Sequence, residues 1–314
     1  MADQPGLRLG IALGSGSARG WAHLGILRAL EAAGIVPAIV CGTSIGALVG
    51  AAYASNRLDT LEEWVLNMNW WEILRFMGPS LNALVEGERL MKTFAERVED
   101  LPIESLPKSF GAVATDLLSG REVWFQRGSL IEAVRASIAL PGLFMPVYQN
   151  GRWLVDGGLV DPVPVSLCRA LGAERVIAVN LNGDIVGRYR RRRDRRFKAD
   201  DLLGQLGGRL QKSLISKLIG TDRQRKASQE VPGLFDVIVG SMHIMQDRIT
   251  RSRLAGEPPD VMLAPRLAHL ALLDFDRGEE AIAAGKSCVE RSLPLLQDAL
   301  KLDDDGENPL VKGA

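Results

Sequence analysis

The segment with the strongest chemical signal is Gly42-Thr43-Ser44-Ile45-Gly46, a Gly-x-Ser-x-Gly pattern. An apolar run over residues 35–40 precedes it and a run of small residues over 47–54 follows, which predicts a strand that turns sharply into a helix. Such a turn leaves the serine hydroxyl exposed at its tip. Side chains at Gly42 and Gly46 would collide with neighbouring backbone there. A glycine-rich helix start capped by serine is the alternative, but the flanking strand and helix favour a nucleophile.

A second turn with anion-binding character lies over Gly14 to Gly20. It follows a predicted strand from Leu7 to Leu13 and precedes a predicted helix from Trp21 to Ala33. Such a loop presents several backbone N–H groups to an anion. A dinucleotide-binding turn is the rival interpretation, but Arg19 stands where that pattern requires glycine or alanine. Two such turns after successive strands predict an acyl-transfer site, with this loop as the oxyanion hole and Ser44 as the nucleophile.

A serine nucleophile needs a base, and the sequence offers two kinds. Of the three histidines, His23 lies in the first predicted helix and His243 in the middle of another, whereas His269 has the chain order of an α/β-hydrolase histidine but no suitable loop around it. The other candidate is Asp156, in an Asp-Gly-Gly segment that ends a predicted strand. An ordinary aspartate is a weak base toward a hydroxyl, so it must be held close, ionised and poorly hydrated. A plain turn is the alternative interpretation of this segment.

Taken in order, the glycine-rich loop with its arginine, the Gly-x-Ser-x-Gly turn and Asp156-Gly157-Gly158 resemble the patatin-like phospholipase family. The resemblance extends through residues 20–25, 135–142 and 156–164, and it covers about residues 7 to 182. The later segment around residues 236–260 resembles the small bacterial, neuropathy-target-esterase-like branch.

The resemblance implies an α/β fold of three layers, α/β/α, with a mainly parallel central sheet. It implies a Ser44–Asp156 dyad that hydrolyses lipid acyl esters, as lysophospholipases and phospholipases A do, without a metal or another cofactor. It also implies an oxyanion hole built from the backbone N–H groups of Gly16, Ser17, Ala18 and Arg19. Ser17 stands where the family often has glycine, so the geometry of this hole is a specific question for the structure.

The composition limits the partners and the cellular compartment that we expect for this protein. The 314 residues are 46% hydrophobic and carry 38 basic and 38 acidic side chains, so no net charge draws the chain to nucleic acid. The three cysteines have neither metal-ligand spacing nor the pattern of a disulfide framework, which favours the cytoplasm. We expect no signal peptide and no membrane-spanning segment, so any membrane contact is expected to be peripheral, on the inner face.

The predicted organisation is a catalytic core over residues 1–182, an arginine-rich insertion over 183–235 and a helical completion of the same domain over 236–314. A cap over about 58–98 holds several aromatic residues, which either pack into the core or cover an apolar pocket. Arg188 to Lys198 contains seven arginines and one lysine against one aspartate; such a run is usually a solvated loop, and it could contact anionic lipid.

One local prediction concerns the segment after the Asp-Gly-Gly turn. A helix is expected from Pro162 to Leu171, with Asp161 as its N-cap and the proline in its first position.

Three functions are compatible with these patterns. The favoured one is a hydrolase of lipid acyl esters, with transfer of the acyl group to an alcohol as a variant. The second is a weakly active or inactive regulatory or lipid-binding module on the same scaffold. The third, a nucleotide-binding protein, depends on the glycine-rich loop alone.

Overall fold

The computed structural model describes residues 7–68, 87–183 and 234–300. The middle of the predicted cap and the run from Arg188 to Lys198 lie outside these ranges. The described residues form eight strands: β1 Leu9–Leu13, β2 Ile39–Thr43, β3 Ser109–Asp116, β4 Glu122–Phe125, β5 Val147–Gln149, β6 Arg152–Asp156, β7 Arg175–Val179 and β8 Val261–Leu263. They also form eight α-helices: α1 Ala22–Ala32, α2 Ile45–Ala54, α3 Leu58–Asn67, α4 Gly87–Val98, α5 Leu130–Ser137, α6 Val165–Ala170, α7 Leu234–Gly256 and α8 Gly278–Leu300.

The strands form one sheet in which consecutive members of the path β5-β6-β3-β2-β1-β7-β8 are hydrogen-bonded, and β4 pairs with β3 as well. The five strands β3, β2, β1, β7 and β8 run parallel to one another. Strands β4, β5 and β6 form antiparallel pairs at one end. The predicted fold class, a three-layer α/β structure with a mainly parallel central sheet, is therefore confirmed.

Side chains of β1 point alternately to the two faces of the sheet, and each face packs against a layer of helices. All five of its residues are buried, as expected for a central parallel strand covered on both faces. Leu9, Ile11 and Leu13 pack into the larger core with residues of α1, α2 and α8. Ala12 belongs to a second core, which includes Leu167 of α6. Each fully buried Leu or Ile side chain contributes about 1.5–3 kcal/mol, so both faces hold helices in place.

The register along β3 brings two strand ends together. Val113 pairs with Thr43 on one edge of β3 and with Trp124 of β4 on the other. Ala114 pairs with Val123 on the β4 edge, so its second partner, Asp156, lies on the edge that carries Thr43. Strand β6 runs antiparallel to β3, whereas β2 runs parallel to it. The carboxyl ends of β2 and β6 therefore meet head to head.

The prediction for residues 162–171 is wrong at the start of the helix. Helix α6 begins at Val165, and its N-cap residue is Pro164, which makes no side-chain capping bond. The Asp161 carboxylate instead lies 3.2 Å from Arg253 Nε of α7, and the Thr43 hydroxyl donates to the Asp161 carbonyl at 2.8 Å. The Asp161 side chain, which local capping rules assigned to the helix, thus pairs with Arg253, 92 positions away in the sequence.

Candidate active site

Ser44 lies at the junction of β2 and α2 with a strained backbone. Its φ of 58° and ψ of −127° are unusual for a residue with a side chain. The Ser44 N–H donates to Ser137 Oγ at 2.9 Å, and Ser137 Oγ donates to the Val113 carbonyl at 2.7 Å. Ser137, at the end of α5, therefore holds the turn against the sheet.

The two glycines of the turn lie against backbone. A Cβ added at Gly46 would lie 2.1 Å from the Leu13 carbonyl oxygen, and one added at Gly42 would lie 2.4 Å from Ala47 N. Backbone at these distances cannot move aside as a flexible side chain can. Only glycine fits both positions, because the turn brings α2 directly over the end of β1.

Asp156, the last residue of β6, is hydrogen-bonded to Ser44. Ser44 Oγ donates to Asp156 Oδ2 at 2.5 Å, and the Gly158 N–H donates to Asp156 Oδ1 at 2.7 Å. The Asp156 N–H donates to the Ala139 carbonyl at 2.9 Å, which fixes the backbone. Burial raises the pKa of Asp156 to about 6, against the opposing effect of its two hydrogen bonds. The carboxylate is thus ionised at neutral pH but more basic than an exposed aspartate.

The glycine-rich loop divides into two parts. The Ala18 N–H donates to the Leu272 carbonyl at 3.2 Å and the Arg19 N–H donates to the Gly16 carbonyl at 3.3 Å, so both are engaged within the protein. Gly16 and Ser17 line the same cavity as Ser44, and no described residue accepts a hydrogen bond from their N–H groups. Ser17 has a φ of 51°, in the left-handed region that favours glycine.

The histidines have other contacts. Arg19 Nη2 donates to His243 Nε2 at 2.8 Å, and burial together with the arginine charge lowers the pKa of His243 to about 3. His23 is fully buried, with Nε2 at 2.8 Å from the Gly14 carbonyl, and burial lowers its pKa to about 4. His269 Nε2 lies 2.7 Å from Glu280. None of the three histidines is hydrogen-bonded to Ser44.

An open cavity lies next to Ser44. Apolar side chains dominate its wall. Part of the predicted cap contributes Trp64, Met68 and Leu90, and the other apolar residues are Trp21, Ile45, Leu48, Ile138, Leu140, Leu143, Phe144, Met242, Leu272 and Phe275. The polar groups on the wall are few, and they include Ser15, Ser17, Ser44, Asp156, His243 and Gln246.

Several residues of the site have little signal in the sequence. Met242 and Gln246 of α7 and the segment around Leu272 reach the site from far along the chain. The two α7 residues lie in the segment around 236–260 that resembles the NTE-like branch, but nothing in the sequence marks them individually. Ser137 had a weak signal, because it lies within the segment at 135–142 that resembles the family.

The structure also bears on metals and membranes. Within residues 7–68, 87–183 and 234–300, no three His, Cys, Asp or Glu side chains are grouped closely enough to bind a metal ion. Over the same residues, no helix combines the length and apolar character needed to cross a bilayer.

Comparisons with known proteins identify the family of this chain. A family model described as patatin-like phospholipase matches residues 11–169, which include the loop, Ser44 and Asp156. An uncharacterized NTE family protein of Mycobacterium tuberculosis is 33% identical over 342 residues, covering 95% of this chain and 93% of that protein. The neuropathy target esterase of Drosophila melanogaster is 35% identical over 185 residues, which cover 56% of this chain and 13% of the fly protein. The chain belongs to the patatin-like phospholipase family, in its small bacterial, NTE-like branch.

Proposed function

We propose that this protein hydrolyses lipid acyl esters, as a lysophospholipase or phospholipase of the A type, with Ser44 as nucleophile and Asp156 as base. The hydrogen bond from Ser44 Oγ to Asp156 Oδ2 at 2.5 Å, at the floor of an apolar cavity, carries this proposal. Membership of the patatin-like phospholipase family supports lipid acyl esters as the substrate class.

The proposed reaction has two halves. Asp156 accepts the Ser44 proton as Oγ attacks the ester carbonyl carbon, and the carbonyl oxygen becomes an oxyanion. Asp156 then returns the proton to the departing alcohol, which leaves an acyl group on Ser44. A water molecule attacks this acyl carbon and gives a proton to Asp156. That proton returns to Ser44 Oγ as the fatty acid is released, so one ester and one water yield one alcohol and one acid.

The oxyanion is the point at which the glycine-rich loop acts. The Gly16 and Ser17 N–H groups line the cavity without a described acceptor, and the N-terminus of α2 begins next to Ser44. These donors and the helix dipole favour negative charge. We therefore propose that the oxyanion hole has fewer backbone donors than expected from the sequence. Gly16 and Ser17 donate to the oxyanion, whereas Ala18 and Arg19 hold the shape of the loop.

The apolar walls suit an acyl chain. Each methylene group that leaves water contributes about 0.8 kcal/mol, and the side chains that would surround it include Leu48, Trp64 and Leu143. Binding energy of this kind would select long-chain esters over acetyl esters.

Reaction with a fluorophosphonate probe tests the dyad. We expect labelling of the native protein, and loss of labelling in Ser44→Ala and Asp156→Asn. Ser252→Ala, which removes an exposed serine on α7, is the matched control and should label normally. Full esterase activity in Ser44→Ala would refute the proposal. Absence of labelling with tight binding to anionic liposomes would favour the lipid-binding module instead.

The proposed setting is the cytoplasm, with transient contact at the inner membrane face. All three cysteines are free and buried, which suits a reducing compartment. The contact is proposed to run through Arg188 to Lys198, and replacing its arginines with serine should then weaken sedimentation with anionic but not zwitterionic liposomes.

A further inference from the structure

Three buried polar side chains meet on one wall of the otherwise apolar cavity. Gln246 of α7 is 6% exposed, and Asn182 and Ser15 are each 2% exposed. Gln246 and Ser15 line the cavity beside Asp156, and Asn182 lies behind them. Buried polar groups are costly unless they are hydrogen-bonded, so the partners of each atom in this cluster indicate its purpose.

A backbone carbonyl fixes the orientation of the two amide side chains in the cluster. The Ser15 carbonyl can only accept, so it fixes Asn182 with Nδ2 toward it at 3.3 Å. Asn182 Nδ2 also donates to Gln246 Oε1 at 3.3 Å. The Gln246 amide is thereby oriented with its oxygen toward Asn182 and its Nε2 donor away from it.

Three polar atoms of the cluster have no partner in the described protein, and one of them, Asn182 Oδ1, lies behind the wall. No described residue accepts a hydrogen bond from Gln246 Nε2, and the buried Ser15 hydroxyl likewise has none. The Gln246 Nε2 donor is fixed in orientation but has no described acceptor, and it lies near the unpaired Ser15 hydroxyl on a cavity wall. This arrangement is expected of a binding subsite rather than of a packed core.

Gly158 locates this subsite relative to the dyad. A Cβ added at Gly158 would lie 2.7 Å from Gln246 Nε2, 2.9 Å from Asp156 Oδ1 and 3.2 Å from Ser15 Oγ. The three polar atoms therefore surround one point beside the catalytic carboxylate. The second glycine of the Asp-Gly-Gly segment leaves the room that the Gln246 amide occupies.

We propose that Gln246 Nε2 and Ser15 Oγ bind a hydroxyl group on the alcohol half of the substrate. This inference rests on the proposed function. Asp156 must hand its proton to the departing alcohol, so the alcohol half lies on the Asp156 side of the cavity, where this pair is placed. Gln246 donates to the substrate hydroxyl oxygen, and that hydroxyl donates to Ser15 Oγ. The preferred substrate is then an acylglycerol lipid with a free hydroxyl next to the scissile ester.

The test compares matched esters that differ in that hydroxyl alone. One pair is 1-acyl lysophosphatidylcholine and its 2-deoxy analogue, and the other is 1-acylglycerol and the corresponding acyl propanediol. We expect the native protein to favour the hydroxyl-bearing ester by about 10-fold in kcat/KM, as one additional hydrogen bond allows. A preference in either pair supports the subsite, and the pair that shows it identifies whether the lipid carries a phosphate head group.

Two variants and a control test whether Gln246 and Ser15 cause the preference for the hydroxyl-bearing ester. Gln246→Met, which keeps the side-chain length, should bring the ratio of the two kcat/KM values close to one. Ser15→Ala should reduce the ratio as well, and it decides the matter if Gln246→Met does not fold. Met245→Leu, at a half-exposed neighbour on α7, should keep the native ratio.

The outcomes separate this inference from the proposed function. Hydrolysis of both esters without a preference, or an unchanged preference in both Gln246→Met and Ser15→Ala, would overturn the subsite and leave the dyad intact. Hydrolysis of neither ester by the native protein would overturn the proposed function, and the subsite with it.

Discussion

Thr43 and Asp156 face consecutive residues along the same edge of β3, since Thr43 pairs with Val113 and Asp156 with Ala114. Ser44 follows Thr43 directly, so the register of the sheet places it beside a carboxylate 112 residues further along the chain. A slip of β6 by one residue would turn Asp156 to the other face of the sheet. The dyad geometry is therefore a property of strand pairing.

The pH dependence of activity should follow Asp156. Only its ionised form can accept the serine proton, so kcat/KM on a soluble acyl ester should reach half of its maximum at about pH 6 and level off roughly one pH unit higher. His23 and His243, whose pKa values are lowered to about 4 and about 3, stay neutral over this range. Burial raises the pKa of Asp161 to about 7, so a midpoint that moves in Asp161→Asn would contradict the assignment to Asp156.

Asp156→Asn should stabilise the fold while it removes activity. The pKa of Asp156 is raised from 3.8 to about 6 in the folded state, so ionisation opposes folding. The cost is absent below pH 3.8 and complete above about pH 6, where two pKa units correspond to about 3 kcal/mol. Thermal unfolding from pH 4.5 to 8 should show an advantage of the variant that grows as the pH rises. An advantage that shrinks with rising pH would refute this account.

Ser137→Ala should weaken both the turn and the chemistry. It leaves the buried Ser44 N–H without the acceptor that now lies at 2.9 Å, which costs about 1–3 kcal/mol. Misplacement of Ser44 Oγ should lower kcat about 10- to 100-fold with little change in KM. Chemical denaturation and steady-state kinetics measure the two effects, with Ser252→Ala as the exposed control. Native kcat in Ser137→Ala would show that the turn holds its shape without this clamp.

Gly46→Ala tests the contact between the turn and β1. The added Cβ would lie 2.1 Å from the Leu13 carbonyl oxygen, so we expect a loss of about 3 kcal/mol or more, or no soluble protein. Gly256→Ala at the end of α7 is the control, because nothing lies within 4 Å of its added Cβ. Equal stability of the two variants, measured by thermal unfolding, would contradict the close approach.

Substitutions at Ser17 test the loop geometry. Its φ of 51° strains a residue with a side chain, by about 1–2 kcal/mol, but glycine would add freedom to the unfolded chain worth about 0.4–1 kcal/mol. Ser17→Gly should therefore fold about as well as the native protein and retain its kcat. Ser17→Val should lose both stability and kcat, because a β-branched residue tolerates this conformation least. A stable and active Ser17→Val would mean that the loop does not need this conformation.

Much of the local structure could be predicted from the sequence. The strand-loop-helix units around Gly14 and Ser44 and the strand ending at Asp156 agree with the structure. These features depend on side-chain periodicity and on steric limits over a few residues, which the sequence carries directly. The resemblance to the family added the pairing of Ser44 with Asp156, which no local rule contains.

Long-range contacts decided the rest. The Leu272 carbonyl accepts a hydrogen bond from the Ala18 N–H. Arg253 pairs with the Asp161 side chain, which was expected to cap a helix. Helix α7 places Gln246 on the cavity wall. The sequence by itself determined the chemical groups and the turns that present them. The tertiary structure decided which N–H groups remain free of internal acceptors, how basic Asp156 becomes and what forms the cavity wall, because burial and hydrogen bonding between distant segments set these properties.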